Sequence, residues 1–196
     1  MQYAVCMHYK LYIKDIAEVI TGYTFRTALQ SKEDSSLFVL QAKNISDDSS
    51  INAEKLDRID FQYYRSRAIV KTGDVIISSR GGFRAGVLED DPRDIIAAAS
   101  VSILRPKTNK VSSGFLAVFL NSLVGQKQIN KKATGAVINT ILRKDLENIS
   151  IPLLDIKKQE KIVRLYQANK RLQEALAQKM KLINNINEVA ISKLLQ

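Results

Sequence analysis

The sequence contains one cysteine, one histidine, three prolines and no tryptophan in 196 residues. A single cysteine, Cys6, excludes an internal disulfide, which suits a reducing compartment, so a cytoplasmic protein is expected. A single histidine, His8, lies in the leader, where nothing supports a Ser-His-Asp or Cys-His arrangement. Cys6 and His8 together fall short of the three or four protein ligands of a zinc site. No apolar run approaches the roughly 20 residues needed to span a bilayer, and Met1 to Lys14 lacks the apolar core of a signal peptide. Gly and Pro are missing altogether from Ile156 to Gln196. Internal repeats and low-complexity segments are also absent.

Charge of one sign predominates. Lys and Arg number 30 against 20 Asp and Glu, giving +10 and a pI near 9.7. Such an excess favours polyanions, nucleic acid before anionic membrane. Up to Asp155 the balance is 21 basic against 17 acidic residues, and beyond it 9 against 3, so no single basic tract accounts for the charge. The apolar content of 45% is that of an ordinary globular chain, and the first 150 or so residues are enough to bury a core.

From Ile156 onward the pattern is helical. Ile162, Leu165, Leu172, Leu176, Met180, Ile183, Ile186, Ala190 and Leu194 recur at steps of three and four, apart from a gap at Asn169. A continuous helix of this length reaches about 60 Å at about 1.5 Å per residue, beyond the diameter of the preceding body. Its apolar seam needs a second helix, and no other stretch of this chain is long enough. A second subunit is therefore expected, with Asn169 and Lys179 near the seam setting its register.

The body reads as strands with turns between them. Leu37–Leu40 and Val75–Ser79 are expected strands, and Ile95–Leu104 a third strand region. Asp15–Glu18 reads as one helical turn, with turns at Thr21-Gly22 and Lys71–Asp74. Phe115–Leu123 and Gln126–Lys132 fit helices, Lys144–Glu147 one more turn, and Ile149–Ile151 a last strand. Pro152 closes the body, and Asp155 is a candidate helix N-cap.

Catalytic motifs are wanting. Asp74 precedes an apolar strand, as nuclease acids do, but no Glu-x-Lys follows. Glu89, Asp90, Asp91 and Asp94 around Pro92 read as a solvated turn. Arg80–Gly86 lacks the G-x-x-x-x-G-K-[ST] spacing of a nucleotide-binding loop. Its glycines permit close backbone approach, and Arg80 and Arg84 suit phosphate or a guanine edge. Phe83 between them suits either a sugar contact or the core. Lys127, Lys131 and Lys132, followed by Thr134 and Asn139, form a second polar and basic group. A third is the turn carrying Tyr23 and Arg26.

In this order the motifs resemble the target recognition domain of a Type I restriction-modification specificity (S) subunit. The matching segments are Asp15-Ile-Ala-Glu-Val-Ile-Thr-Gly-Tyr-Thr-Phe25, Ala42-Lys-Asn-Ile45, Lys71-Thr-Gly-Asp-Val-Ile-Ile-Ser78 and Arg80-Gly-Gly82. Thr134-Gly-Ala-Val-Ile-Asn-Thr-Ile-Leu142, Ile149-Ser-Ile-Pro-Leu-Leu154 and Gln159-Glu-Lys-Ile-Val163 complete the set. The resemblance adds Lys43 to the expected DNA contacts. It implies a non-catalytic subunit that reads one half of a split double-stranded DNA target in the major groove. Modification subunits carrying S-adenosylmethionine would dock on its spacer helix, and restriction subunits would join through them. The chain itself would hold no cofactor or metal.

The expected architecture is α+β: a compact β-rich target recognition domain with short helices at 1–154, then one long helix at 155–196. Full S subunits carry two such units. This chain resembles a half-subunit, natural or truncated, whose helix pairs antiparallel with a second copy in a homodimer. The competing readings are a small stand-alone nuclease or methyltransferase, and a protein-interaction module with an incidental basic face.

Overall fold

A computed structural model describes residues 10–26, 35–46, 50–60, 66–89, 91, 93–135 and 138–195. Cys6, His8, Asp47 to Ser49, residues 61–65, Asp90, Pro92 and residues 136–137 of the Thr134–Leu142 motif lie outside these residues. The described chain is α+β. Strands β1 (Lys10–Tyr12), β2 (Ala17–Thr21), β3 (Leu37–Leu40), β4 (Asp57–Ile59), β5 (Val75–Ser78), β6 (Ala85–Val87), β7 (Asp94–Ala97), β8 (Val101–Pro106) and β9 (Ser150–Pro152) form three sheets. Helices α1 (Ile13–Ile16), α2 (Ser113–Asn121), α3 (Leu123–Lys132), α4 (Arg143–Glu147) and α5 (Ile156–Leu194) complete the fold.

The central sheet runs β2-β8-β5-β6, antiparallel throughout. Its strands are apolar on both faces because both faces are covered. Val19, Val75, Ile77 and Leu104 join Phe115, Leu116, Leu120 and Ile129 of α2 and α3 in one core. The alternate residues Ile20, Ile76 and Ile103 join Phe38, Leu40, Ile95 and Ala97 in a second. The latter come from the mixed sheet β4-β3-β7, in which β3 pairs parallel with β7. The chain thus stacks helices, sheet and sheet. The third pair, β1 with β9, ties the start of the described chain to the residues just before α5.

Several expected boundaries move. The helical turn is α1, two residues earlier than Asp15–Glu18, because Ala17 and Glu18 pair with Pro106 and Arg105 in the central sheet. Ala85 and Gly86, expected in the glycine-rich loop, belong to β6. Ile95–Leu104 is not one strand but two, since the chain turns at Ala98–Ser100 and enters the other sheet. Three small residues without Gly or Pro give no turn signal. Ser122 closes α2 and opens α3, donating to the Phe119 carbonyl and accepting from Gly125 N–H.

Asp74 is structural. It is buried, and its carboxylate accepts from Arg105 Nε and Nη2 at 3.0 and 2.7 Å and from Lys71 N–H at 2.8 Å. That bond to Asp74 raises the Arg105 guanidinium above its ordinary value. Asp91, of the acidic turn, is bound by Arg93 at 2.6 Å, and this contact lowers its carboxyl below the usual range.

Helix α5 spans 39 residues, about 58 Å at about 1.5 Å per residue. Asp155 caps it by accepting from Lys157 N–H at 2.9 Å. Its foot is anchored by Gln159, which is fully buried. The Gln159 amide donates to the carbonyls of Lys110 and Leu154 and accepts from Ser112 N–H. Ile162 and Val163 pack on the core beside α2. Beyond Lys170 every described residue is exposed.

Candidate nucleic-acid interface

Backbone hydrogen bonds gather four separate segments at one end of the central sheet. Gly81 N–H donates to the Asn139 carbonyl at 2.9 Å, and Ile141 N–H to the Ser79 carbonyl at 3.1 Å. Ser79 N–H in turn donates to the Ser100 carbonyl at 2.9 Å. The Ser100 hydroxyl accepts from Ala42 N–H, and Ala99 N–H donates to the Tyr23 carbonyl. Arg80, Asn139, Tyr23 and the Ala42–Ile45 segment therefore sit at the same sheet end, although sequence separates them widely.

The Arg80 loop is held from three sides. Gly81 takes a φ of 72°, which favours glycine. The Ser78 hydroxyl accepts from Arg84 N–H at 2.9 Å. Gln126 of α3 donates to the Phe83 carbonyl at 2.6 Å, and the Asn121 side chain brackets both polar backbone groups of Ala85. The facing loop is closed by reciprocal bonds between Thr134 and Thr140 at 2.9 and 2.7 Å. Gly135 there has φ 134°, and a Cβ at that position would stand 2.2 Å from the Ile138 carbonyl oxygen. No other residue type fits without moving the loop.

The expected contact residues fare differently. Arg80, Arg84, Lys127, Lys131, Thr134 and Asn139 are exposed, and Lys132 is half-buried at the end of α3. Lys127 and Lys131 stand one turn apart, as their spacing implies. Arg84 Nη1 donates to the Ile45 carbonyl at 3.2 Å, which ties the loop to the Ala42–Ile45 segment. Lys43 is exposed and pairs with Asp57 at 2.6 Å. Tyr23 is half-buried and stacks edge-on with Phe25, while Arg26 is exposed beyond it. Phe83 requires correction. It is 3% exposed and belongs to the core, so it offers no surface to a sugar or base. An apolar ring between two exposed arginines gains more by burial than by staying in water.

Three features escaped the sequence. Ser100 joins two of the segments, at Ser79 and Ala42, but stands in a run read as strand. Ile138, next to Asn139, is 58% exposed. Arg67 and Arg143 line a hollow of about 270 Å³ beside Tyr23, where Arg67 pairs with Glu18 and Arg143 with Glu147. No local pattern links Arg67 or Arg143 to Tyr23. Among the described residues no group of three or more potential metal ligands gathers, and no helix is long and apolar enough to cross a membrane.

The chain belongs to the family described as the Type I restriction modification DNA specificity domain, whose model matches residues 10–188. It is 29% identical over 144 residues to the EcoBI specificity subunit of Escherichia coli, covering 69% of this chain and 29% of that one. Two solved structures share the fold. The S subunit of M. genitalium superposes with a TM-score of 0.59 at 14% identity, covering 94% of this chain and 45% of that one. The HsdS subunit of Thermoanaerobacter tengcongensis gives 0.59 at 17%, covering 91% and 41%. The chain spans less than half the length of each of these relatives.

Proposed function

We propose that this protein is a non-catalytic, sequence-specific DNA-recognition subunit of a Type I restriction-modification complex. The observation that carries the reading is the convergence of the Arg80 loop and the Thr134–Asn139 loop, joined backbone to backbone at one sheet end. Backbone locking matters because base readout needs donors held in place before DNA arrives. Arg80, Arg84, Lys127, Lys131 and Lys132 supply charge for phosphates or guanine edges. Thr134 and Asn139 supply short polar groups for base edges. Tyr23, Arg26 and Lys43 extend the surface beyond the Arg80 loop.

Helix α5 is the spacer. Pairing antiparallel with the α5 of a second copy, it sets two identical domains at opposite ends, facing inverted half-sites. Modification subunits bearing S-adenosylmethionine dock on the assembly, and restriction subunits join through them. The family membership, the basic charge and the exposed stripe of α5 support this reading. The test is a mobility-shift measurement with modification subunits present. Arg80→Ala with Arg84→Ala should weaken binding by about 1–3 kcal/mol per lost base contact while leaving the dimer intact. Unchanged affinity would remove this loop from the DNA surface. Methylation or cleavage of DNA by the chain alone would favour a stand-alone enzyme instead.

A further inference from the structure

Ile138 differs in chemistry from the residues around it. Arg80, Thr134 and Asn139 are exposed and polar or charged, whereas Ile138 is exposed and apolar. A lone apolar side chain on a surface is ordinary in itself. What distinguishes this one is how its backbone is held. The Asn139 carbonyl accepts from Gly81 N–H at 2.9 Å, and Thr140 exchanges backbone bonds with Thr134 at 2.9 and 2.7 Å. Ile141 N–H donates to the Ser79 carbonyl at 3.1 Å. The three residues after Ile138 are thus each tied to another segment. On the other side, Gly135 lies so close that an added Cβ would stand 2.2 Å from the Ile138 carbonyl oxygen. The same stretch buries Ile141 in the core and leaves Ile138 in water. Turning Ile138 inward would break those backbone bonds.

Its neighbours are the groups proposed to meet base edges. Thr140 is bridged to Arg80 on one side and to Thr134 on the other. Ile138 is two residues from Thr140 and adjacent to Asn139. Leu142, also half exposed, lies at the start of α4, beyond the residues that bridge to Arg80. DNA phosphates and sugar oxygens offer nothing to an isoleucine. The base edges of the major groove are donors and acceptors, with one apolar group among them, the C5-methyl of thymine. Arginine pairs with guanine there and asparagine with adenine, and neither detects that methyl. A fixed apolar side chain beside them supplies the missing complement. Isoleucine also suits this use because its branched Cβ leaves χ1 little freedom to lose on contact.

We propose that Ile138 is a specificity-determining residue that packs on the C5-methyl group of a thymine in the major groove. This rests on the DNA reading proposed above and names one base that the reading leaves open. The contact takes the methyl and the isoleucine out of water together, a gain that exists only where the methyl is present. Adenine or cytosine in that place would set an amino group against the isoleucine. Its N–H would lose water and find no acceptor, so those bases are rejected as well as left unrewarded. The backbone bonds of Asn139, Thr140 and Ile141 hold the side chain in place before DNA arrives, which limits the ordering cost of the contact.

The test uses the full chain with modification subunits and a pool of randomised duplex DNA. Sequencing of the bound duplexes gives the recognised motif. Each thymine of that motif is then replaced singly by deoxyuridine, which lacks only the C5-methyl, and affinity is measured. At one position the parent should prefer thymine over uracil by roughly fourfold, the contribution of one methyl group removed from water. Ile138→Ala should bring that ratio close to one and leave the rest of the motif unchanged. Ile138→Val, which keeps the branched Cβ, should retain part of the preference. The ratio is internal to each variant, so a general loss of affinity or stability does not move it. A thymine preference that persists in Ile138→Ala would overturn the methyl contact, as would a motif indifferent to uracil or without thymine. In those cases an Arg80→Ala variant with an altered motif would leave the DNA reading standing. Absence of any enriched motif would overturn the DNA reading and this contact with it.

Discussion

Ile76, Ile103 and Leu104 in the body are fully sealed from water, whereas Leu172, Leu176 and Ile183 on α5 are about half exposed or more. The side chains are chemically alike, so the difference lies in what each element has beside it. In the body, helices cover one face of the central sheet and a second sheet covers the other. On α5 only the foot is covered. Burying a Leu or Ile side chain stabilises by about 1.5–3 kcal/mol, and the α5 stripe has not yet gained this. Helix propensity alone is a weak force. Among the described residues the body's core is therefore closed within the single chain, while the α5 stripe beyond the foot is left uncovered.

The comparison breaks most sharply at the seam. Leu172→Asp with Ile183→Asp places charges in an apolar interface and should abolish the dimer, while the body keeps its melting transition. Sedimentation that still finds a dimer would falsify the seam. Next in size is Asp74→Ala, which leaves Arg105 without its main partner in the body. It should cost about 3–5 kcal/mol of body stability by denaturant unfolding, with dimerisation unchanged at temperatures where the body stays folded. Gln159→Ala tests the boundary between the two regions. Its side chain satisfies two carbonyls and one N–H at the α5 foot, so the loss should be about 1–3 kcal/mol, together with faster proteolysis of the 153–158 junction.

The smallest effect is electrostatic. The hydrogen bond from Arg93 depresses the Asp91 carboxyl. A depressed folded value gives stability that is present above the unfolded carboxylate pKa of about 3.9 and lost as pH falls through the folded value. Asp91→Asn should therefore flatten the acid limb of the body's stability curve and leave dimerisation unchanged at neutral pH. A mutant with the same acid limb as the parent would remove Asp91 from that account.

Strands with a single apolar character were legible in order. Leu37–Leu40 appears as read, and Val75–Ser79 differs by one residue at its end. Helices α2, α3 and α5, with the Asp155 cap, were legible from period and capping chemistry. Ile95–Leu104 misled because Ala98–Ser100 is a turn without turn residues. Its bend comes from the two sheets that capture its flanks, through Leu40 and Tyr23 on one side and Ser79 on the other. Of the expected contacts, Phe83 is the one that the fold buries. A lone aromatic between arginines carries no sign of which side of a loop it will face. Its neighbours from α2 and α3 lie more than thirty residues on.

The sequence by itself determined the elements that depend on local physics: the 3.6-residue period of α5, its freedom from Gly and Pro, the strands of the central sheet and the excess of positive charge. It also determined that α5 has a stripe too long for its own body to cover. Tertiary structure decided what lies beside what. It brought Arg80 to Asn139, locked both to Ser79 and Ser100, buried Phe83, and left Ile138 exposed beside Asn139. Those outcomes rest on hydrogen bonds and packing between segments far apart in the chain, which no local pattern encodes.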